Sequence, residues 1–243
     1  MAEHLAGQVQ TRAFPMMQPG SIQAVTFDVG GTLIDPWPSV GHVYSEVAAQ
    51  HGFRDLDPEE LNHRFGEAWR AKANFDYSRA AWSKIVATTF HGASGPAAEV
   101  SFFPDLYERF AAPEVWRVYD DVESTLGHLK QSEIKLAVIS NWDERLRPLL
   151  RSLHLDRFFE VIIVSAELGE QKPSAAIFQK ALQELHLPAQ AVLHVGDSVC
   201  EDVEGARRAG LRAARVNRQR QSLAPGEIGS LAELVRLIAG HQY

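Results

Sequence analysis

The stretch TFDVGGTLID, residues 26 to 35, joins an apolar strand to a loop that carries one carboxylate and two glycines. Its start completes the run IQAVTF (22–27), which has the length and the β-branched content of a buried strand. Asp28 follows this run, and Gly30 and Gly31 permit a tight turn whose backbone amides can approach an anion. A carboxylate in this position can attack phosphorus and form an acyl phosphate. An ordinary strand-to-loop turn would have the same residues, so this stretch alone leaves both interpretations open.

Four further apolar segments share these strand features: KLAVIS (135–140), EVIIVS (160–165), AVLHV (191–195) and RAARV (212–216). Apolar residues at helical spacing lie between them, at Val122, Thr125, Leu126 and Leu129, at Leu146, Leu149, Leu150 and Leu153, and at Ile177, Phe178, Ala181, Leu182 and Leu185. Strands without alternation are covered on both faces, so the pattern predicts an α/β fold with a Rossmann-like, doubly wound parallel sheet. Ligands of such folds bind beyond the carboxyl ends of the strands.

Residues 36–117 interrupt this alternation. They are dense in aromatic residues and show helical spacing without a convincing strand, and HGASGPAAE (91–99) has the composition of a loop between helices. We therefore predict a helical cap domain at 36–117, inserted into a core domain formed by 21–35 and 118–243. The aromatic residues fit the interior of a helix bundle or a wall above an active site. Residues 1–20 lack the pattern of a secretory signal and are predicted to be a disordered or loosely packed tail, or else an arm that packs on the body or on a second subunit.

The composition of the 243-residue chain is that of an ordinary globular protein, with 45% hydrophobic and 23% charged residues. Its net charge of -7 argues against nucleic acid or an anionic membrane surface as the main partner, because phosphates are repelled overall. No apolar run approaches the roughly 18 residues of a membrane span. The single cysteine, Cys200, excludes an intrachain disulfide and fits a reducing compartment. We expect a cytoplasmic monomer or homodimer.

Two motifs place polar residues at a strand end and at a helix start. In ISNWDE (139–144), Ser140 ends a strand and Asn141 opens the next turn, where a hydroxyl and free amides can hold phosphate oxygens. Both residues would also serve as an ordinary helix cap. In GEQKPSAAIFQKAL (169–182), Lys172 precedes a proline that starts a helix. Its ammonium group can neutralise a nucleophile and a phosphate, or it can be a solvated surface group.

The last motif, VLHVGDSVCEDVEGARRAGL (192–211), runs from a strand into Asp197, with Asp202 five residues later. Two aspartates near Asp28 would form a hard, oxygen-lined site of the kind that Mg²⁺ prefers. A capped helix start is the alternative. Other polar or reactive residues of the motif are expected to be a satisfied core histidine, a small packing residue and two solvated glutamates, namely His194, Cys200, Glu201 and Glu204.

Nucleophile, hydroxyl, lysine and acidic pair occur in the order of the four motifs of the haloacid dehalogenase superfamily, which residues 21–235 resemble. The matching positions are Asp28 with Thr32, Ser140 with Asn141, Lys172, and Gly196, Asp197 and Ser198 with Asp202. The insertion at 36–117 resembles the helical cap, of C1 type, found in one large branch of the superfamily.

The resemblance implies a role for each matching residue. Asp28 is the implied nucleophile, and Lys172 and Ser140 are implied catalytic residues. The residues implied to bind the phosphorylated substrate are Thr32, Ser140, Asn141 and Lys172. The implied cofactor is Mg²⁺, held by Asp28, the backbone carbonyl of Gly30, Asp197 and Asp202, the last of which would support the metal's waters or orient Lys172.

Gly30 departs from the pattern of the superfamily's phosphatases. There, the carboxylate at this position protonates the leaving oxygen and then activates water, and a glycine can do neither. General acid–base catalysis is typically worth about 10²–10⁴-fold, but positioning and charge stabilisation supply the larger share in phosphoryl transfer. The sequence therefore predicts an Mg²⁺-dependent phosphate-ester hydrolase of weak or narrow activity, suited to good leaving groups such as aryl or acyl phosphates.

Gly30 also supports two alternatives. One is a dehalogenase or phosphonatase, since these also lack the carboxylate, although Asp197 and Asp202 belong to the phosphate-and-metal type of motif and no cap lysine is marked as a Schiff-base former. The other is a regulatory protein that binds a phosphate ligand without turnover. Three cap residues are candidates to replace the missing acid, although a solvated helix face is the default interpretation: Glu67, Lys72 and Lys84.

Overall fold

The protein is described by a computed structural model that covers residues 22–72, 75–91, 101–218, 224 and 226–239. The predicted tail at 1–20 and nearly all of the predicted loop at 91–99 lie outside these residues. The described strands are β1 (Ala24–Phe27), β2 (Ile34–Pro36), β3 (Trp116–Val118), β4 (Lys135–Ser140), β5 (Val161–Val164), β6 (Val192–Gly196), β7 (Arg212–Val216) and β8 (Glu227–Ile228).

The helices surround and interrupt this series of strands. The α-helices are α1 (Val40–Gln50), α2 (Pro58–Ala71), α3 (Arg79–Phe90), α4 (Phe103–Arg109), α5 (Val122–Gln131), α6 (Leu146–Ser152), α7 (Ser165–Leu168), α8 (Ala175–Leu185), α9 (Gly205–Arg208) and α10 (Ala232–Ala239). Short 3₁₀ helices lie at Pro113–Val115, Asp156–Phe158 and Ala189–Ala191, and a π-helical turn at Val199–Glu204 leads into α9.

Within the described residues, six parallel strands form one sheet in the order β5-β4-β1-β6-β7-β8. Successive side chains of a strand point to opposite faces, so Val25 and Phe27 pack with α5, α6 and α10, whereas Ala24 packs with α8 and α9. Helices therefore cover both faces, and the prediction of a doubly wound parallel α/β fold is confirmed. The order of the strands places the carboxyl end of β1 between those of β4 and β6.

Helices α1 to α4 lie between β2 and β3 in the chain and pack around their own apolar cluster, which includes Val43, Tyr44 and Phe102. A second cluster of the same segment joins Phe75 and Tyr77 to the rings of Trp69 and Trp82. Each of the first three helices begins at a side chain that accepts a hydrogen bond from its first turn: Ser39, Asp57 and Ser78.

Three short strands differ from the prediction. β2 and β3 form an antiparallel ribbon, with Ile34 opposite Val118 and Pro36 opposite Trp116, at the two ends of the inserted segment. The expectation that 36–117 holds no strand is therefore wrong at both of its ends. β8 adds an edge strand beside β7 that is also not predicted. Strands of two or three residues are too short for their side-chain periodicity to show in a sequence.

Among the residues that the structure describes, no helix combines the length and the apolarity that crossing a membrane requires.

Candidate active site

The carboxyl ends of three neighbouring strands carry the residues of the site. Asp28 follows β1, Ser140 is the last residue of β4, and Asp197 follows β6. Lys172 comes from a different place, the loop before α8, and reaches in from the side. The structure brings every predicted site residue to this one location: Asp28, Gly30, Ser140, Asn141, Asp197 and Asp202 line one cavity, and Thr32 and Lys172 contact Asp28 directly.

Lys172 bridges two carboxylates in the interior. Its Nζ lies 2.6 Å from Asp28 Oδ1 and 2.6 Å from Asp202 Oδ1, and its side chain is 1% exposed. The interpretation of Lys172 as a solvated surface residue is therefore excluded. Ser140 Oγ also donates to Asp28 Oδ1, at 3.1 Å, and Thr32 Oγ1 approaches Oδ2 at 3.4 Å. The carboxylate of Asp28 is thus fixed in orientation by donors on both of its oxygens.

Asn141 holds the lysine loop in place. Its Oδ1 accepts from the Lys172 backbone N–H at 2.7 Å, and its Nδ2 donates to the Lys172 carbonyl at 2.9 Å. The same Nδ2 donates to Glu201 Oε2 at 3.1 Å. The expectation that Glu201 is solvated is therefore wrong, because its partner lies 60 residues away in sequence. Glu204 is exposed as predicted.

His194 supports Asp202 from inside the sheet. Its Nε2 lies 3.1 Å from Asp202 Oδ1, and its Nδ1 lies 2.8 Å from the Thr26 hydroxyl. Burial lowers the pKa of His194 and keeps the ring neutral. A carboxylate only accepts, so Nε2 carries the proton and Nδ1 accepts from Thr26. The prediction of a satisfied core histidine is confirmed, whereas Cys200 is exposed and is not the predicted packing residue.

Charges in this interior balance one another unequally. Burial alone would lower the pKa of Lys172, but the charges of Asp202 and Asp28 outweigh it and raise that pKa. Burial would likewise raise the pKa of Asp202, but Lys172 and the hydrogen bond from His194 outweigh it and lower that pKa. Burial raises the pKa of Asp28 despite the opposing charge of Lys172. Asp28 and Asp202 are therefore not equivalent, since their pKa values shift in opposite directions.

Asp197 completes a group of three acids. Carboxylate oxygens of Asp28, Asp197 and Asp202 all lie within 4.8 Å of one another. The Asp197 side chain keeps contact with solvent. Partial desolvation by the surrounding protein, followed by the charges of the other two acids, raises its pKa to about 7. Gly31 permits this packing: its φ is +75°, and a Cβ there would lie 2.8 Å from Asp197 Oδ2.

These acids fit a magnesium site. Three carboxylates and one ammonium group leave an excess of two negative charges, and hard oxygen donors are the ligands that Mg²⁺ prefers. Asp28 and Asp197 line the open cavity, as does Gly30, whose backbone carbonyl is the other implied ligand. The oxygens of Asp202 are already bonded, Oδ1 to Lys172 and Oδ2 to the Ser198 backbone N–H at 2.9 Å. This arrangement favours the role of Asp202 in orienting Lys172.

Trp142 stands beside Gly30, where the family's phosphatases carry their second carboxylate. A Cβ built on Gly30 would lie 3.2 Å from Trp142 Cζ3, a carbon at the edge of the indole ring. Ser165 pins the backbone of Trp142, since its hydroxyl accepts from the Trp142 N–H at 3.0 Å and donates to the Trp142 carbonyl at 3.1 Å. Trp116 packs on the ring with centroids 5.3 Å apart. An indole edge thus borders the position where an acid would project.

A cavity of about 600 Å³ opens above these groups, between the strand ends and the inserted helices. We refer to its charged and polar base, together with the buried Lys172 that is bonded to Asp28, as the polar floor: Asp28, Ser140, Lys172, Asp197 and Asp202. We refer to six of the rings around it as the aromatic wall: Phe65, Trp69, Tyr77, Trp82, Trp116 and Trp142. The aromatic residues of the inserted segment therefore serve in both predicted ways, because others, such as Phe90 and Phe102, are buried in the helix bundle.

The three candidate replacements for the missing acid lie in different environments. Lys72 lines the cavity, and its ammonium group sits 3.7 Å from the centre of the Trp69 ring. Burial lowers the pKa of Lys72, although the charge of Glu201 opposes the shift. Lys84 is exposed, and Glu67 faces a separate surface groove beside His63. Of the three, the solvated interpretation is wrong for Lys72 and confirmed for Lys84 and Glu67, both of which are exposed.

A buried junction at the cavity edge is not predicted from sequence. The Tyr107 hydroxyl donates to Asp143 Oδ2 at 3.0 Å, which connects α4 of the inserted segment to the loop after β4. Arg145 binds the same carboxylate at 2.6 Å and lies over the Tyr107 ring, 3.4 Å from its centre. Asp143 and Arg145 stand within or beside the motif that supplied Ser140 and Asn141, so their charges were visible; their partner, 36 residues upstream, was not.

The parallel sheet, the inserted helices and the buried aspartate–lysine–aspartate bridge define a haloacid dehalogenase-like hydrolase, and the model of that family matches residues 25–216. The chain belongs to this family. Human haloacid dehalogenase-like hydrolase domain-containing protein 3 is 34% identical over 203 residues, which cover 79% of this chain and 80% of that protein. A phosphoglycolate phosphatase from Chromobacterium violaceum is 32% identical over 199 residues, covering 80% of this chain and 85% of that protein.

A solved structure agrees with this membership. The crystal structure of a HAD phosphatase from Thermococcus onnurineus covers 91% of this chain and all of its own chain, at 26% identity and a TM-score of 0.65. The predicted resemblance and fold class are thus confirmed. Hydrolases of this family generally use Mg²⁺.

Proposed function

We propose that the protein is an Mg²⁺-dependent phosphate-ester hydrolase with Asp28 as its nucleophile. The observation that carries the proposal is the buried Lys172 ammonium group, 2.6 Å from both Asp28 and Asp202. A buried lysine between two carboxylates at the end of a parallel sheet neutralises a nucleophile and leaves one N–H donor for a transferring phosphoryl group. The similarity to two phosphatases supports the same reaction class.

Each residue of the polar floor has a task in this proposal. Lys172 and Ser140 fix the Asp28 carboxylate, so that its attacking oxygen points into the cavity without an entropic search. Ser140 Oγ and the Asn141 backbone N–H would hold phosphate oxygens, as would Lys172. His194 and the Ser198 N–H hold Asp202, which in turn holds the lysine.

Residues Asp28 and Asp197 and the Gly30 carbonyl would hold Mg²⁺, with Asp202 behind them. When bound, the ion offsets the negative charge that the nucleophile and the phosphate bring together. The closeness of the three acids supports this assignment: burial, and after it the charges of neighbouring carboxylates, favours a raised pKa at both Asp28 and Asp197. A neighbouring cation is what such a group of carboxylates requires.

The proposed reaction proceeds in two steps. An oxygen of Asp28 attacks phosphorus while the bond from phosphorus to the ester oxygen breaks, and the electron pair leaves with that oxygen. Water then attacks phosphorus of the acyl phosphate, which releases inorganic phosphate and restores the Asp28 carboxylate. The alcohol product takes its proton from solvent, since Gly30 offers none.

We further propose that residues 36–117 act as a cap domain over a core of residues 21–35 and 118–243, and that the substrate is a small phosphorylated molecule bound between them. The support is the cavity itself, whose base comes from strand ends and whose sides come largely from α1 to α4. A lid that supplies the walls would set substrate choice on a shared catalytic base.

Release of phosphate from p-nitrophenyl phosphate tests the proposed chemistry. Release should require Mg²⁺, stop on chelation with EDTA, and fall by about 10³-fold or more in Asp28→Asn, because the amide is not a nucleophile. Asp105→Asn is the matched control, since the Asp105 side chain is 66% exposed on the inserted segment and should leave release unchanged. Equal release by the wild-type protein and Asp28→Asn would refute the proposal. Binding of vanadate with Mg²⁺ but no turnover would favour a regulatory protein instead.

A further inference from the structure

Trp142 determines what the leaving group meets. Its ring edge lies beside Gly30, 3.2 Å from the position of a Cβ there, and Ser165 and Trp116 hold it in place. In the family's phosphatases this is where the proton donor stands. Here the atoms nearest to that position, Cζ3 and Cη2, are carbons with no proton to give. A departing oxygen next to them must therefore carry its own negative charge.

Three other charged side chains that line the cavity are engaged by partners, and Asp197 is assigned to Mg²⁺ in the proposed function. These contacts are Glu201 with the Asn141 amide, Lys72 with the face of Trp69, and Arg145 with Asp143. Each would have to give up its partner to protonate a leaving oxygen. The leaving group therefore has to depart without a donated proton, so it must be stable as an anion.

The rings of the aromatic wall indicate which kind of leaving group fits the cavity. Trp69 and Trp82 stack with their ring planes 12° apart, and Tyr77 meets Trp82 edge-on. Together with Phe65, Trp116 and Trp142 they line a cavity of about 600 Å³, which is within the range of pockets that hold drug-sized ligands. Flat, apolar faces of this kind stack on aromatic rings at favourable offset and edge-on geometries.

We propose that the substrates are phosphate monoesters of bulky phenols, with the phosphoryl group on the polar floor and the aryl group against the aromatic wall. This inference rests on the proposed hydrolase function. A phenol has a pKa near 10, whereas water, and alkyl alcohols with it, lies near 16. An aryloxide therefore departs without a donated proton. An aromatic ring on the ester oxygen thus removes the need for a proton donor and also fits against the aromatic wall.

The step balances without a further reactant. The Asp28 carboxylate forms a bond to phosphorus as the bond from phosphorus to the aryl oxygen breaks, and the electron pair leaves as an aryloxide. Water hydrolyses the acyl phosphate to inorganic phosphate. The proton that this hydrolysis releases converts the aryloxide to the phenol through solvent, so one ester and one water give one phenol and one phosphate.

Three substrates separate the two halves of the inference in the wild-type protein with Mg²⁺. 2-Naphthyl and phenyl phosphate have leaving groups of similar acidity but different size, and we expect kcat/KM to be about tenfold higher for the naphthyl ester because its second ring is buried. Phenyl and cyclohexyl phosphate have similar size but different acidity, and we expect the phenyl ester to be faster by about 10²-fold or more.

Substitution of the wall tests the location of the ring. In Trp82→Ala, kcat/KM for 2-naphthyl phosphate should fall more than kcat/KM for phenyl phosphate, so that the naphthyl preference is lost. If Trp82→Ala does not fold, Trp82→Leu replaces it in the test, because leucine keeps apolar volume in the packed cluster. This variant should lose part of the naphthyl preference. Trp37→Ala is the matched control, because Trp37 is 47% exposed outside the cavity and should change neither ratio.

The outcomes distinguish this inference from the function on which it rests. If kcat/KM for cyclohexyl phosphate equals or exceeds that for 2-naphthyl phosphate, and Asp28→Asn still abolishes release, the substrate class is overturned while the hydrolase stands. An unchanged naphthyl preference in both Trp82 variants would also overturn it. If no ester releases phosphate in an Asp28-dependent way, the proposed function itself fails.

Discussion

At the polar floor, Lys172 Nζ lies 2.6 Å from two carboxylates and is bonded to both, whereas at the aromatic wall Trp69 and Trp82 meet only through their ring faces. Asp28, Ser140 and Asp197 of the floor lie at the ends of strands that the sheet fixes in register, and Lys172 and Asp202 reach in from other segments. The wall consists largely of residues from helices inserted between β2 and β3. Under the proposed function, the floor would set which bond is broken and the wall would set which molecule is admitted.

The two regions also differ in how they tolerate change. A buried charge that loses its partner leaves an uncompensated ion, which costs several kcal/mol, about 3–5 for a broken buried pair. A ring that is shortened leaves a space that solvent or substrate can fill, since the wall borders an open cavity. We therefore expect substitutions in the floor to affect stability and every substrate, and substitutions in the wall to affect substrates selectively.

The largest effect should come from Lys172→Met. Removing the ammonium group leaves Asp28 and Asp202 buried without their cation, so we expect a loss of about 3–5 kcal/mol in the free energy of unfolding and loss of turnover for all esters. Urea unfolding and phosphate release measure the two quantities. Lys180→Met is the control, because Lys180 forms an exposed pair with Glu184 worth about 0–1 kcal/mol. Similar losses in both variants would contradict a special role for the buried bridge.

An intermediate effect is expected at the point where floor and wall meet. Gly30→Asp places a side chain against the Trp142 ring and should cost about 1–3 kcal/mol by overpacking. In a Trp142→Ala background the same change should cost less, and a double-mutant cycle of unfolding free energies measures the coupling.

The same pair of positions gives a kinetic readout. In the Trp142→Ala background, Gly30→Asp introduces a proton donor that has room beside the leaving oxygen, so the ratio of kcat/KM for phenyl over cyclohexyl phosphate should shrink. Trp142→Ala alone serves as the reference. A ratio that does not change on adding the carboxylate would show that Trp142 does not stand at the leaving-group side.

The smallest effect should come from Tyr107→Phe. The change removes one hydrogen bond to Asp143 but leaves Arg145 bound to the same carboxylate, so we expect a loss of about 0.5–1.5 kcal/mol in the free energy of unfolding. Thermal unfolding measures it. Because the junction lies at the cavity edge, the change in activation free energy calculated from kcat/KM for phenyl phosphate should be smaller than the change in the free energy of unfolding. A loss as large as that of Lys172→Met would mean that this junction, too, belongs to the floor.

The sequence was informative where local pattern and topology coincide. β4 and β7 have the predicted bounds, because each is a segment of strand length without helical spacing. Asp28 and Asp197 could be placed together because parallel strands bring their carboxyl ends to one edge. Neither inference needed a side-chain contact.

The rest depends on contacts between distant segments. Trp142 was within a quoted motif, but its packing against Gly30 requires the path of both loops. As a glutamate, Glu201 was expected at the surface. Only the position of Asn141 makes it a partly buried hydrogen-bond acceptor. The paired charges of Asp143 and Arg145 indicated a local turn, whereas their bond to Tyr107 depends on how the inserted helices sit.

The side chain of Asn141 satisfies both the N–H and the carbonyl of Lys172, as a neighbouring strand would do. The lysine loop is therefore held by a single amide in place of a ladder, and the amide hydrogen of Lys172 can exchange with deuterium only when residue 141 lets go. The rate of that one exchange event would report how often the bond between Asn141 and the Lys172 backbone opens while the rest of the sheet stays intact.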